Sequence, residues 1–161
     1  MKKVIVGFSH SYNIFGKIIR WATSSKVNHV FIMFEEDGVD IVFQASGLAV
    51  NYVNYSRFLD HSKILETYSL WMTDEEWTKC KHDQLLKLGT PYSWRDIVGF
   101  IWVLLNRKFD RDVENPLSDG DYAYICVDLT AEQLGYEWES TMTPEDMRRW
   151  CQLNPRLTRE I

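Results

Sequence analysis

Short apolar runs separated by turn signals characterise the first half of the chain. Runs of β-branched and aromatic residues of this length are typical of β-strands. Asp37-Gly38, between two of the runs, predicts a tight turn and therefore a hairpin. The predicted strands cover Val4–Phe8, Val27–Glu35, Val39–Ala45 and Lys63–Trp71.

The second half changes to helical periodicity. Thr73 followed by Glu76 forms a capping-box pattern, and Thr143-Pro144 has an N-cap residue before proline, so each predicts a helix start. Gly135 suits the position just after a helix. The predicted helices cover Ser11–Ala22, the segment from Thr73 to near Gly89, Ser93–Asn106, Tyr124–Leu134 and a last one from Thr143. Strands gathered before helices predict an α+β fold.

Composition limits the classes of partner. The 161 residues suit one domain, 1–161, and the net charge of −5 argues against nucleic acid as the main partner. The longest apolar run, Ile97 to Leu105, is too short to cross a bilayer, so no integral membrane segment is expected. The N-terminus lacks the pattern of a signal peptide, and three cysteines without regular spacing do not form a disulfide framework. We therefore expect free thiols and a cytoplasmic location.

Cys126 is the strongest candidate nucleophile. It lies at the predicted start of a helix, where unpaired N–H groups and the helix dipole favour a thiolate and can stabilise an oxyanion. A buried structural cysteine is the alternative, because free cysteine is among the most buried residue types. The other two cysteines, Cys80 and Cys151, have no base nearby in sequence.

His29 is the candidate base. It heads a strand that is apolar on both faces, which places it at the rim of the sheet. A turn at Asp37-Gly38 pairs residues whose numbers add to about 75, so Gln44 falls opposite Phe31 and near His29. Gln44 is therefore the candidate third residue that orients the imidazole. A satisfied, partly buried histidine is the alternative for His29.

The remaining polar candidates are weaker. His10 lies between two serines and suits a cleft or a loop, and His61 and His82 suit the solvated surface. Tyr12, Tyr92 and Tyr124 are candidate substrate-binding residues, although aromatic side chains commonly serve the core. A zinc site from Cys126, His10 and His29 lacks the spacing of metal ligands, so no metal and no cofactor are expected.

Several segments together resemble the circularly permuted, NlpC-type papain-fold proteins, specifically the YiiX-like group, which is distantly related to lecithin–retinol acyltransferase-like enzymes. The resemblance runs from about Ser11 to Met147 in matching order, and the permutation accounts for a histidine that precedes the cysteine. The similar segments are Ile18–Val30, Leu88–Ser93, Tyr124–Leu129 and Thr143–Asp146.

The resemblance implies a permuted papain-like fold with a small antiparallel sheet packed on helices. It implies Cys126 as nucleophile, His29 as base and Gln44 in the position of the orienting residue, which is often glutamate in the group. A glutamine can accept an N–H but cannot stabilise an imidazolium by charge. Val127-Asp128 also departs from the group, which more often has Ser-Glu after the cysteine, and the N-terminal strand lacks the usual Gly-Asp start.

The expected function is that of a cysteine peptidase or amidase that cleaves an amide bond through an acyl-enzyme. The substrate is a small peptide or another acyl or amide compound, with cell-wall-type peptides as the first choice. Two alternatives remain open at this point: a lipid acyltransferase or esterase, and a catalytically silent binding module of the same fold. The sequence does not indicate the oligomeric state.

Overall fold

The computed structural model of the chain describes most of its length. For Trp94, Phe100, Leu104 and Arg107 it describes the backbone alone. The described residues are 1–12, 16–17, 20–21, 25–47, 49–107, 109, 111, 113–114, 116–117, 125–136 and 142–161.

A six-stranded antiparallel sheet forms the centre of the described structure. Its strand order is β4-β3-β2-β1-β5-β6. The strands are β1 (Lys2–Ser11), β2 (His29–Glu36), β3 (Val39–Ser46), β4 (Ala49–Asn54), β5 (Ser62–Met72) and β6 (Thr158–Arg159). Strands β2 and β1 occupy the middle of the sheet. Strand β2 is hydrogen-bonded to β1, which precedes it in the chain, and to β3, which follows it.

The helices are joined to this sheet at several points. Thr73 caps a helix through a complete capping box, as predicted, and Thr143 is the predicted N-cap of another, where it also forms a capping box with Asp146. The helices are α1 (Tyr55–Leu59), α2 (Asp74–Lys87), α3 (Trp94–Arg107), α4 (Cys126–Gln133) and α5 (Pro144–Leu153). Helix α4 contacts β2, β3, α2 and α5, whereas α1 contacts β3, β4 and β5.

Alternation along β2 divides the core between the two faces of the sheet. Val30 and Ile32 belong to the larger core, to which α4 contributes Cys126 and Leu129. Phe31 and the residues of its face form a smaller cluster with Phe58 of α1. Every residue of β2 from His29 to Phe34 is buried, as expected for a strand covered on both faces.

The α+β prediction is confirmed, and most predicted elements are present with shifted ends. The hairpin has the predicted register, with Ile32 opposite Phe43, and Asp37 and Gly38 both have positive φ. The helix predicted from Tyr124 begins at Cys126 instead, because Ile125 has extended backbone and serves as N-cap. Most of the helix predicted over Ser11–Ala22 lies outside the described residues; Ser11 itself ends β1.

Candidate functional site

His29 and Gln44 are hydrogen-bonded to each other across the β2–β3 pair. The distance from His29 Nε2 to Gln44 Oε1 is 2.8 Å, and both side chains are buried. The opposite end of the Gln44 amide donates to Asn51 Oδ1 at 3.4 Å, which fixes the carbonyl oxygen toward the imidazole. The hairpin therefore brings together two of the three residues predicted for catalysis.

This hydrogen bond selects the tautomer of His29. An amide oxygen only accepts, so Nε2 carries the hydrogen and Nδ1 keeps its lone pair. Burial lowers the pKa of His29 to about 4, and the hydrogen bond to Gln44 opposes that shift only in part. The imidazole is consequently neutral at pH 7, with a basic nitrogen at Nδ1.

Cys126 is the first residue of α4 and is 5% exposed. Burial raises the pKa of its thiol to about 11, while the N–H groups of Val30, Cys126 and Val127 act in the opposite direction. The helix N-terminus does favour a thiolate, as expected from the sequence, but desolvation outweighs it. The expectation of a thiolate at neutral pH is thus not met in this structure, where the sulfur is a neutral thiol.

The sulfur of Cys126 and the imidazole of His29 pack in different clusters of the core. The Val30 N–H acts on the sulfur, whereas the His29 ring packs with Phe31 and Phe58, at centroid distances of 6.4 and 6.2 Å. No hydrogen bond joins these two described side chains. The structure therefore brings His29 together with Gln44, whereas it shows no contact between the side chains of His29 and Cys126, both of which it describes.

A cavity of about 530 Å³ opens beside His29 and Gln44. Tyr12 and Tyr92, both expected to bind substrate, line it, and Phe58 forms part of its apolar wall. Such a volume is within the range of small-molecule sites. Tyr124, the third expected binding residue, lies outside the described residues.

Tyr92 links the cavity to the surroundings of Cys126. Burial raises the pKa of the Tyr92 phenol well above its usual range, and the nearby Cys126 and Asp128 add to the shift. Burial also raises the pKa of Asp128 to about 7, with further contributions from Asp96 and Glu132. An acid that is half ionised near pH 7 thus lies two residues after the thiol in α4.

Replacing Asp128 by asparagine should increase the thiol reactivity of Cys126. Asp128 raises the pKa of this thiol, so removing its charge should lower that pKa and speed iodoacetamide labelling about threefold at pH 9. Site-resolved mass spectrometry would follow each cysteine separately. Asp83→Asn is the matched control, because Asp83 acts on Cys80 and should leave Cys126 labelling unchanged. An unchanged Cys126 rate in Asp128→Asn would contradict the prediction.

Several residues of the site have no clear signal in the sequence. Asn28 accepts from Ser11 N at 2.9 Å and donates to Ser11 Oγ at 3.1 Å, which ties the end of β1 to the segment before His29. Arg57 and His61 line the cavity from the α1–β5 connection. Their placement depends on α1, a five-residue helix that is too short for periodicity to reveal.

The other cysteines are free and buried, which confirms the expectation of unpaired thiols. Burial raises the pKa of Cys80 to about 11 and that of Cys151 to about 12. Among the described residues, no three His, Cys, Asp or Glu side chains come together in an arrangement suited to a metal ion. Within the same part of the chain, no helix combines the length and apolar character needed to cross a membrane.

Comparison with known proteins gives a structural relationship. No protein-family model matches the chain, and no curated protein shows significant sequence similarity to it. The crystal structure of the metalloprotein yiiX from Escherichia coli O157:H7 is similar, with a TM-score of 0.57 and 18% sequence identity. The alignment covers 100% of this chain and 96% of that chain. The fold of this protein is therefore yiiX-like.

Proposed function

We propose that the protein is a thiol hydrolase with a permuted papain-like arrangement, in which Cys126 attacks an amide or peptide bond. His29 serves as the base and Gln44 orients it. The observation that carries the proposal is the 2.8 Å hydrogen bond between His29 Nε2 and Gln44 Oε1, because it leaves Nδ1 of His29, the first residue of β2, as a proton acceptor.

The resting protonation states define the chemical step. Cys126 starts as a thiol, and Nδ1 of His29 takes its proton as sulfur attacks the carbonyl carbon. The resulting tetrahedral intermediate expels the amine, which receives that proton from Nδ1 and leaves an acyl group on sulfur. Water then attacks the thioester as the same imidazole takes its proton; the C–S bond breaks, the acid product leaves, and the imidazole returns the proton to the Cys126 sulfur. This step requires Nδ1 to reach the sulfur, and such contacts commonly tighten only when substrate is bound.

The N-terminus of α4 supplies donors for the developing oxyanion. Ile125, the N-cap residue, makes no side-chain capping hydrogen bond, and the Cys126 and Val127 N–H groups already act on the sulfur. Donors at this position suit an oxygen attached to the attacked carbon. Cys126 and the cavity are connected through Tyr92, so a substrate in the cavity could present its carbonyl there.

The similarity to yiiX gives the fold alone. The permuted papain-like arrangement, with histidine before cysteine, is the part that we propose, and its support is the order of the similar segments in the sequence. Peptides of the cell-wall type remain the proposed substrate class, and a reducing compartment such as the cytoplasm suits the three free thiols. The metal that the description of yiiX implies does not carry over, because the described residues include no suitable set of donors.

A binding module of the same fold is the second candidate. Its support is the combination of a thiol pKa near 11, an imidazole pKa near 4 and the missing hydrogen bond between the two groups. A lipid acyltransferase or esterase is a third candidate, favoured by the outward-facing Val98 and Trp102 of α3, which are 55% and 54% exposed.

Trapping the acyl-enzyme distinguishes these candidates. The wild-type chain and Cys126→Ser would be incubated with a panel of peptide amides and with short- and long-chain acyl esters, then quenched in acid for intact mass spectrometry. We expect an acyl adduct on Cys126, at the N-terminus of α4, from a peptide amide and none on Cys80 or Cys151, which lie inside α2 and α5 without free helix N–H groups beside the sulfur. Adducts from long-chain esters alone would favour the lipid enzyme. Absence of any adduct and of any turnover would favour the binding module.

A further inference from the structure

We propose that the cavity beside His29 binds ligands that carry a free carboxylate, which is held by Arg57 in a positive field supplied by Arg20 and Lys63. The substrate class becomes small amides or peptides with a carboxylate close to the scissile bond. Use of the carboxylate in catalysis rests on the proposed function, whereas its binding does not.

Arg57 is an available cation in the wall of the cavity. It makes no ion pair and no side-chain hydrogen bond with any residue in the described part of the chain. Other arginines are engaged, such as Arg148 with Glu66 and Glu145, and Arg156 with Glu76. A guanidinium without a carboxylate partner retains its full capacity for a bidentate anion contact.

The position of Arg57 is fixed by its neighbours rather than by its own contacts. Asn54 caps α1 by accepting from Ser56 N, and Phe58 packs against Phe31 with ring centroids 4.6 Å apart. The chain then turns through hydrogen bonds from Asp60 N to the Arg57 carbonyl and from His61 N to the Phe58 carbonyl. This anchoring holds the backbone of Arg57 on the same wall as Phe58, whose ring also contacts His29.

Two more cations stand at the neighbouring ends of β1 and β5. Lys63 lies opposite His10 in the β1–β5 pair, one residue after Ser62 of the cavity wall. Arg20 donates to the carbonyl oxygen of Ser11, another wall residue, at 3.2 Å. Burial lowers the pKa of His10, and the charges of Arg20 and Lys63 lower it further, so their positive field reaches this end of the strands. Neither forms an ion pair with a described residue.

The opposing charge at the cavity is small. Among the described residues that line the cavity, Asp60 is the one acidic residue and Arg57 the one arginine or lysine, so their charges offset each other. Arg20 and Lys63, which lie outside the lining, add two positive charges nearby. His61 and Ser62 add further polar groups to the same wall. In a chain with net charge −5, this local excess of positive charge favours an anionic ligand group.

A carboxylate fits the rest of the cavity better than a long acyl chain does. Arg57 offers planar donors, and serine hydroxyls, among them Ser46 and Ser62, also face the cavity. The apolar part, which includes Phe58 and Val53, is limited in extent. A short peptide with its C-terminal carboxylate at Arg57 would lie along the wall toward His29.

The test measures binding to Cys126→Ala, so that no ligand is consumed. The probes are N-acetyl-alanyl-alanine and the same compound with a C-terminal amide, compared by ligand-observed NMR titration. We expect the carboxylate form to bind about tenfold more tightly. Arg57→Gln should remove most of this preference, Arg57→Lys should retain part of it, and added salt should weaken it. Asp60→Asn should strengthen it.

Matched controls separate local from general charge effects. Lys63→Met should reduce the preference about threefold, whereas Lys79→Met, which removes a cation of α2 outside this cavity, should leave it unchanged. Equal affinity for both probes, binding of neither, or an unchanged preference in Arg57→Gln would overturn the inference. If wild type forms acyl adducts while Arg57→Gln keeps the preference, only this inference fails. If the preference is present but no adduct ever forms, only the hydrolase proposal fails.

Discussion

Alanine at position 29 should lower kcat for the cleaved amide by about 10²–10⁴-fold, the range that a positioned general base contributes. In the proposed mechanism this variant lacks the group that takes the proton of Cys126, whose thiol is almost fully protonated at neutral pH. KM should change little, because binding uses other parts of the cavity. Initial rates over a series of substrate concentrations would measure both constants.

Variants of Gln44 test whether catalysis requires the His29 tautomer that carries its hydrogen on Nε2. Gln44→Ala should reduce kcat by about 10-fold or more, since both tautomers become accessible. Gln44→Glu should raise the pKa of His29 above its present value near 4 and move the acid limb of the pH–rate profile upward. Asn51→Ala, which loosens only the far end of the Gln44 amide, is the milder control. A profile that is identical in wild type and Gln44→Glu would exclude this role.

Gly7→Ala should destabilise the fold by about 3 kcal/mol, at the upper end of the usual cost of overpacking. Gly7 lies opposite Phe31 in the β1–β2 pair, and an added Cβ would collide with the Phe31 ring. The backbone of Gly7 has no positive φ, so the expected loss comes from this collision and not from backbone strain. Urea unfolding followed by circular dichroism would give the free energy of unfolding.

A double-mutant cycle checks the cause of that loss. Phe31→Leu alone leaves space in the cluster with Phe58 and should also destabilise the protein. In Gly7→Ala/Phe31→Leu, the smaller side chain should accommodate the methyl group, so the combined loss should be smaller than the sum by about 1–2 kcal/mol. Strict additivity would show that the collision with Phe31 is not responsible.

The parts of the fold that were predictable are those specified by neighbouring residues. The Asp37-Gly38 turn determines the register that places Gln44 near His29, and the Thr73 capping box determines the start of α2. Helix α1 was not predicted because a helix of five residues is too short to show a repeating pattern of apolar positions. Arg57, which lies on this helix, therefore had no signal in the sequence. Both were missed for the same reason: a short helix is stabilised by packing against segments that are distant in sequence.

The state of Cys126 was unpredictable for a related reason. Its helix N-terminal position is visible in the sequence and favours the thiolate, whereas the burial that reverses this preference arises from α4 packing on β2 and β3. The depressed pKa of His29 has the same origin, because its ring is enclosed by Phe31 and Phe58. Desolvation is a tertiary property and has no local sequence signal.

The buried, protonated state of Cys126 has a consequence for the lifetime of the protein. Peroxide and other oxidants react with the thiolate, and their attack also requires access to sulfur. A thiol that is 5% exposed and has a pKa near 11 presents very little of that form. The same burial that lowers the nucleophilic reactivity of the resting thiol should therefore delay its oxidation to sulfenic and sulfinic acids. The site would then stay intact between encounters with substrate.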